Sequence, residues 1–329
     1  MGSSGIPVVV MGLGEIGRAI ARVACARPDF RVVGAVDPHP SKAGRRLEEV
    51  LGRPAPDVPV SAGAAASLAA AKGGVVLHAT ASRIEAVLPE IEAAVRAGLH
   101  VVSTCEELAW PWLEHAEVAQ RLDALCHERN VAVVGTGVNP GFVLDRLPVF
   151  LSQVTGPVRH VHGLRVVDAS RRRPALQRKI GAGLGEDAFH QASERGEVGH
   201  VGLAESAALV AEGCLGLEDY EVDVEVAPLL ALEDAGGSLP VRKGQVAGLQ
   251  ETARVFAEGR EVVRLELEIA IGAEDPRDEL VLDADPPLRL VVPGGIPGDE
   301  ATAHAVVNAV HALTELRGLV SVLDLPAGR

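Results

Sequence analysis

Glu106 and Glu107 are adjacent carboxylates followed directly by apolar Leu108, Ala109 and Trp110. A carboxylate stripped of water by apolar neighbours has its pKa raised toward the range in which it can exchange protons with a substrate. Adjacent residues of an extended segment point to opposite faces, so one of the two is expected to face a ligand, and the local sequence leaves open which. Elsewhere in a chain such a pair would be two solvated loop residues. Its place just after the apolar run His100 to Thr104, at the end of an expected strand, singles it out.

A second constellation is Gly12-Leu13-Gly14-Glu15-Ile16-Gly17, a G-x-G-x-x-G turn between an apolar run, Ile6 to Met11, and a segment with apolar residues at helical spacing, Glu15 to Arg27. Gly12 suits the tight turn, Gly14 a close backbone approach to a pyrophosphate, and Gly17 contact between helix and strand. The first helical residues, Glu15 and Ile16, open a helix whose N–H groups and dipole favour an anion. Asp37 follows Gly17 by twenty residues at the end of the next apolar run, Arg31 to Val36, where a carboxylate can bind a ribose diol. Together these predict a dinucleotide. Asp37 favours NAD, while Ser41 and Lys42 are placed to receive the extra phosphate of NADP, so either cofactor is expected.

The elements that must position these residues alternate. Strands are expected over Val75 to Thr80, His100 to Thr104 and Val131 to Gly135, with helices over Glu85 to Ala97 and Leu113 to Arg129. Alternation of this kind means parallel pairing with right-handed crossovers and a doubly wound sheet. Ligands of such sheets bind beyond the carboxyl ends of the strands. Thr80 and Ser82, Thr104, and the loop from Gly135 to Phe142 that contains Asn139 lie there, and Thr80, Ser82 and Thr104 are expected to approach the cofactor. The stretch from Pro54 to Gly74 is rich in Ala, Pro and Gly and reads as a loose connection holding a short helix.

After Pro140 the texture changes to alternating segments, Tyr220 to Val226, Val262 to Ile271 and Leu288 to Val292, which read as antiparallel strands with one covered face. Helical periodicity returns from Glu300 to Glu315. The expected fold class is α/β: a Rossmann doubly wound parallel sheet over residues 6–140, with 299–329 packing back on it. Residues 141–298 are expected to form an α+β substrate and oligomerisation domain with a mainly antiparallel sheet.

Composition narrows the class. The 329 residues suit two domains, and no apolar run approaches the length of a membrane span. A formal charge of -14 with eight aromatic residues argues against nucleic acid as a partner. The four cysteines form no C-x-x-C pair and fit a reducing, cytoplasmic setting. No His-Glu pair has metal-ligand spacing, so no metal is expected. Met1 to Gly5 lacks the regions of a signal peptide and is read as a flexible start.

HVVSTCEELAWPW from His100 to Trp112 and GTGVNPGFVLDRLP from Gly135 to Pro148 resemble the 2,4-diaminopentanoate dehydrogenases and their relatives, the native amine dehydrogenases. The likeness continues through Val166 to Leu184, Gly199 to Ser206 and Gly294 to Val310, and so spans nearly the whole chain. The resemblance implies NAD(P)-dependent oxidative deamination of an amine or diamino acid, with reductive amination of a ketone by ammonia in reverse. It puts the catalytic glutamate on Glu107, ahead of Glu106, and Asn139 beside the nicotinamide amide. Expected partners are the small amine or ketone and a second copy of the chain, with no membrane.

In the second domain Arg171, Arg172, Arg173 and Lys179 form a basic cluster suited to a substrate carboxylate. His200, Thr302 and Asn308 are further pocket candidates, each weighed against an ordinary structural role. Dihydrodipicolinate reductases and homoserine dehydrogenases share the expected architecture. The first carry a His-His segment and a lysine not found here, and the second a lysine where this chain has its glutamate pair. A dinucleotide-binding sensor without turnover would give that pair no role.

Overall fold

The structure is a computed structural model describing residues 5–172, 174–236, 239–326 and 328. It opens with alternating elements: β1 (Ile6–Met11), α1 (Glu15–Cys25), β2 (Phe30–Val36), α2 (Leu47–Leu51), β3 (Val60–Ser61), α3 (Ala65–Ala70), β4 (Val75–His78), α4 (Ile84–Arg96), β5 (His100–Ser103), α5 (Ala116–Arg129) and β6 (Ala132–Gly135). The middle of the chain adds α6 (Arg146–Ser152), β7 (His160–Asp168), α7 (Pro174–Lys179), α8 (Glu186–Glu194), α9 (Leu203–Leu215), β8 (Glu221–Leu230), β9 (Val246–Ala257), β10 (Arg260–Ala270), β11 (Arg277–Asp283) and β12 (Leu288–Pro293). It ends with α10 (Gly298–Thr314) and β13 (Gly318–Val320). These fall into two compact units, residues 1–142 with 297–329, and residues 143–296.

The first unit is built on a seven-stranded sheet in the order β13-β6-β5-β4-β1-β2-β3, with every pair parallel. Its central strands are buried on both faces, which is why Val8, Val9 and Val10 or Val75, Val76 and Leu77 run apolar without alternation. The order reverses between β1 and β4, the switch point at which such sheets bind ligands. Helix α10 packs along α1.

The second unit holds a six-stranded sheet in the order β12-β11-β7-β10-β9-β8, antiparallel except for the parallel pair β7 and β10. Helix α9, buried along most of its length, packs on β8, β9 and β10. Leu249, Ala253, Val255, Val263, Leu265 and Leu267 make the fully covered face of the sheet, each at most 1% exposed. The register places Val226, Glu251, Leu267, Arg165, Asp278 and Val292 in one row across the six strands, so this apolar face carries three charged side chains in a line. Among the described residues no helix is long and apolar enough to cross a membrane.

Candidate active site

Each glycine of the turn meets a different environment. Gly12 has φ +84°, and a Cβ there would stand 2.3 Å from the Ala79 carbonyl oxygen, so both conformation and space require glycine. At Gly17 a Cβ would meet the Gly12 carbonyl oxygen at 1.8 Å, because helix α1 lies directly against the turn. At Gly14 nothing lies within 4 Å: this glycine keeps a surface clear. It is also the N-cap of α1, which starts without a side-chain cap, so the helix dipole faces the cleared space. A pyrophosphate fits that cradle.

Asp37 closes the turn from the end of β2. Its Oδ2 accepts the Leu13 N–H at 2.9 Å and pairs with Lys42 Nζ at 2.6 Å, and its Oδ1 accepts the His39 N–H at 2.9 Å. Burial pushes the carboxyl pKa up, but Lys42 and the two backbone donors outweigh it and hold the group below its ordinary value. Ser41 Oγ lies 2.7 Å from His39 Nδ1. Asp37, Ser41 and Lys42 thus share one rim of the turn, an acceptor beside an ammonium.

At the carboxyl end of β4, Thr80 Oγ1 donates to Glu90 Oε2 at 2.7 Å and lies 2.9 Å from His78 Nε2. His78 Nδ1 in turn meets Ser103 Oγ at 2.9 Å. The Thr80 hydroxyl is therefore part of a protein network. Ser82 contributes its carbonyl, which accepts from Glu107 N at 3.4 Å and Cys105 Sγ at 3.2 Å, and Thr104 donates its N–H to the His78 carbonyl at 2.9 Å. These bonds fold the segment after β5 back toward the loop after β4.

That segment is coiled, where the sequence reading treats it as extended: Glu107–Ala109 form a 3-10 turn with Glu106 as its N-cap. Gly135 explains the fit, because a Cβ there would come within 2.4 Å of the Leu108 carbonyl carbon. Leu108 and Cys105 anchor the turn in the core with Ile84, Val87 and Leu122. The two glutamates differ in consequence. Glu107 is buried, its Oε2 accepts the Ile84 N–H at 2.7 Å at the start of α4, and its Oε1 accepts from Arg83 Nη1 at 2.9 Å. His115 Nε2 lies 3.3 Å from Oε2. Glu106 is half-buried at the head of the turn. The predicted helix from Leu113 begins later, at Ala116, because Pro111 to Glu114 form a turn.

After the neighbouring strand β6, the loop presents Asn139, whose buried Nδ2 and Oδ1 have no hydrogen-bond partner among the described residues. A buried carboxamide with an unmet donor and an unmet acceptor matches another carboxamide, such as that of nicotinamide. Thr302 of α10 accepts the Val138 N–H at 3.1 Å and so pins this loop. Asn308 accepts from Arg27 Nη1 at 2.9 Å, a structural tie between α10 and the end of α1.

In the second unit, Arg171 is exposed, Arg172 and Lys179 are half-buried, and Arg173 lies outside the described residues. His200 donates its backbone N–H to Glu251 Oε2 at 2.9 Å, while its ring Nδ1 is buried without a partner among the described residues. Burial, then the charges of Lys179 and Arg165, push the His200 pKa down to about 3. Burial pushes Glu251 up to about 7, opposed by the His200 N–H and by Lys179. Glu251 was not among the sequence candidates. Its signal was present: an acidic residue at an inward position of a strand, between Leu249 and Ala253.

Residues 142–329 match the family described as the 2,4-diaminopentanoate dehydrogenase C-terminal domain, and residues 6–106 match the dihydrodipicolinate reductase N-terminus. A 2,4-diaminopentanoate dehydrogenase of Acetoanaerobium sticklandii is 26% identical, over 98% of this chain and 94% of its own length. An amine dehydrogenase of Streptomyces virginiae is 32% identical over 45% of this chain and 42% of its own. The structure of an amine dehydrogenase from Mycobacterium smegmatis superposes with a TM-score of 0.86 at 23% identity, covering 98% of this chain and 97% of that one.

Proposed function

This chain belongs to the 2,4-diaminopentanoate dehydrogenase family, and on that premise we propose that it oxidatively deaminates a small amine or diamino acid and, in reverse, aminates the corresponding ketone with ammonia. It is an NAD(P)-dependent oxidoreductase of the amine dehydrogenase kind. The observation that carries the finer reading is the seat of the glutamate pair. A buried turn at the carboxyl end of β5 presents carboxylates next to the strand whose loop offers the unpartnered Asn139 carboxamide.

The Gly14 cradle, the Asp37 rim and the Asn139 carboxamide would hold a nicotinamide cofactor, which when bound would supply the hydride acceptor for the carbon that bears nitrogen. The chain's own work is with protons. An ammonium has no lone pair to share with the carbon losing hydride, so a carboxylate must first take its proton. Glu107 is buried against Arg83 and the start of α4, while Glu106 is half-buried at the head of the turn, and this difference in access supports giving Glu107 the task of orienting the turn and Glu106 that of accepting the proton. This reverses the order that the family resemblance implies. Loss of hydride then leaves an iminium, and water adds to it to release ammonia and the ketone.

Lys179 and Arg171 are assigned to the substrate carboxylate and His200 to the pocket wall. The paired Asp37 and Lys42 support use of NAD, with Ser41 and Lys42 admitting NADP. The four free cysteines fit a reducing cytoplasm, and the resemblance implies a homodimer, which sedimentation would test.

The test is cofactor reduction at alkaline pH with NAD and NADP against a panel of short diamino acids and simple amines. Turnover on amines is expected. Tight cofactor binding with no turnover would favour a sensor, and activity confined to a cyclic imine acid would favour a dihydrodipicolinate reductase-like enzyme.

A further inference from the structure

Three groups in the second unit have chemistry left over. The Lys179 ammonium, half-buried at the end of α7, has no hydrogen bond or ion pair among the described residues. The His200 ring keeps a buried, unpartnered Nδ1. Among the described residues, Glu251, 3% exposed, holds only the backbone N–H of His200. They belong together: Gly199 donates its N–H to the Lys179 carbonyl at 3.2 Å, the next residue donates to Glu251, and the charge of Lys179 acts on both Glu251 and His200.

The same row of the sheet supplies a control. Three strands from Glu251, Asp278 is buried as deeply but accepts from Arg165 Nη1 at 2.9 and 3.1 Å and from Ile296 N at 2.7 Å. Arg165 completes the lock by donating to the Ile296 carbonyl at 2.6 Å. A buried charge with such partners is structure. A buried carboxyl without a paired cation is a burden on the fold unless a ligand completes it.

Resting on the amine dehydrogenase reading, we propose that Glu251 is the specificity-determining residue for a second ammonium on the substrate, with Lys179 taking the carboxylate of the same amino-acid end. The ligand class is a zwitterionic α-amino acid carrying its reacting amine elsewhere on the chain. One cation and one anion of the protein then meet one anion and one cation of the ligand, and His200 offers Nδ1 as an acceptor between them.

Among the described residues, the charged and titratable groups on the elements packed near Glu251 are few. Lys179 comes from α7, His200 from the loop before α9, buried Glu205 from the first turn of α9, and Arg165 from β7 beyond Leu267 of β10; Val226 of β8 is uncharged. Of these, Glu251 is the group pushed to about 7, so ammonium recognition strengthens as pH rises through neutrality.

The test is calorimetric binding, with cofactor present, of 2,4-diaminopentanoate and of 4-aminopentanoate, which lacks the second ammonium. The native protein is expected to prefer the diamino acid at least about tenfold at pH 8 and less at pH 6. Glu251→Gln preserves the acceptor for His200 N–H and is expected to bring the two ligands within about twofold of each other at both pH values. An unchanged preference in Glu251→Gln, or a native preference that does not move between pH 6 and pH 8, would overturn the proposal. Should the variant fail to fold, the pH dependence of the native protein alone decides. Binding without turnover of any amine would instead count against the proposed function and leave this subsite standing.

Discussion

Glu107 in the first unit and Glu251 in the second are both buried, yet they are treated in opposite ways. Glu107 has a backbone donor from the start of α4, a guanidinium and a nearby imidazole. Glu251 has one backbone donor and an ammonium that does not reach hydrogen-bonding distance. The difference teaches that burial alone does not mark a working carboxylate. The fraction of its hydrogen-bonding capacity already used by the fold separates a group that builds a site from one that awaits a ligand.

The comparison breaks most sharply at Asp278, the matched member of the row that contains Glu251. Asp278→Ala strands Arg165 in the covered face of the sheet and is expected to destabilise the second unit by about 3–5 kcal/mol, read by denaturant unfolding. A loss below 1 kcal/mol would show that buried pairing counts for little here, and would undo the contrast.

Glu251→Gln should move stability the other way. A folded-state pKa near 7 against an ordinary 4.5 means that the folded chain keeps a proton that the unfolded chain releases, so stability falls as pH rises from about 4.5 to about 7. The variant escapes this and should gain up to about 3 kcal/mol over the native protein at pH 8, with little difference at pH 4. His200, pushed to about 3, works in the opposite sense in both proteins, its contribution being lost as pH falls from 6.5 toward 3, so the difference between them isolates Glu251. Parallel stability curves would contradict the unmatched state of Glu251.

Glu107→Ala removes the acceptor for Ile84 N–H and the partner of Arg83, and a loss of about 2 kcal/mol is expected; Arg83 is largely exposed, so most of it comes from the backbone bond. Hydrogen exchange at Ile84 should report it locally. Asp37 is the intermediate case, matched by Lys42 yet placed at the cofactor rim. Asp37→Ala is expected to weaken NAD about tenfold and NADP less, about 1.4 kcal/mol in the first case. Equal weakening of both in a titration would detach Asp37 from the ribose.

Much of the first unit was legible because its signals are local. The run from Ile6 through the glycine turn to Asp37 encodes strand, turn, helix and strand in one stretch, and apolar cores such as Val75 to Leu77 announce strands buried on both faces. In the second unit, β8, β10 and β12 were readable by alternation. Strands β7 and β9 were not, since Arg165 and Glu251 occupy inward positions and break the apolar phase. The parallel pairing of β7 with β10 is a long-range choice that no window of sequence contains. At the site, the glutamate pair was visible and its partners were not, because Arg83 and Ile84 meet Glu107 only once β4 and β5 pair side by side.

The most direct test of the central claim is single-turnover reduction of the cofactor by a substrate amine in Glu106→Gln and Glu107→Gln, with cofactor affinity measured alongside. The account predicts that Glu106→Gln binds cofactor normally and loses about 10²–10⁴-fold in rate, whereas Glu107→Gln loses less rate and more stability. A Glu106→Gln variant with native rates would contradict it, and if Glu107→Gln then showed the larger loss, the proton would belong to the residue that the fold holds fast.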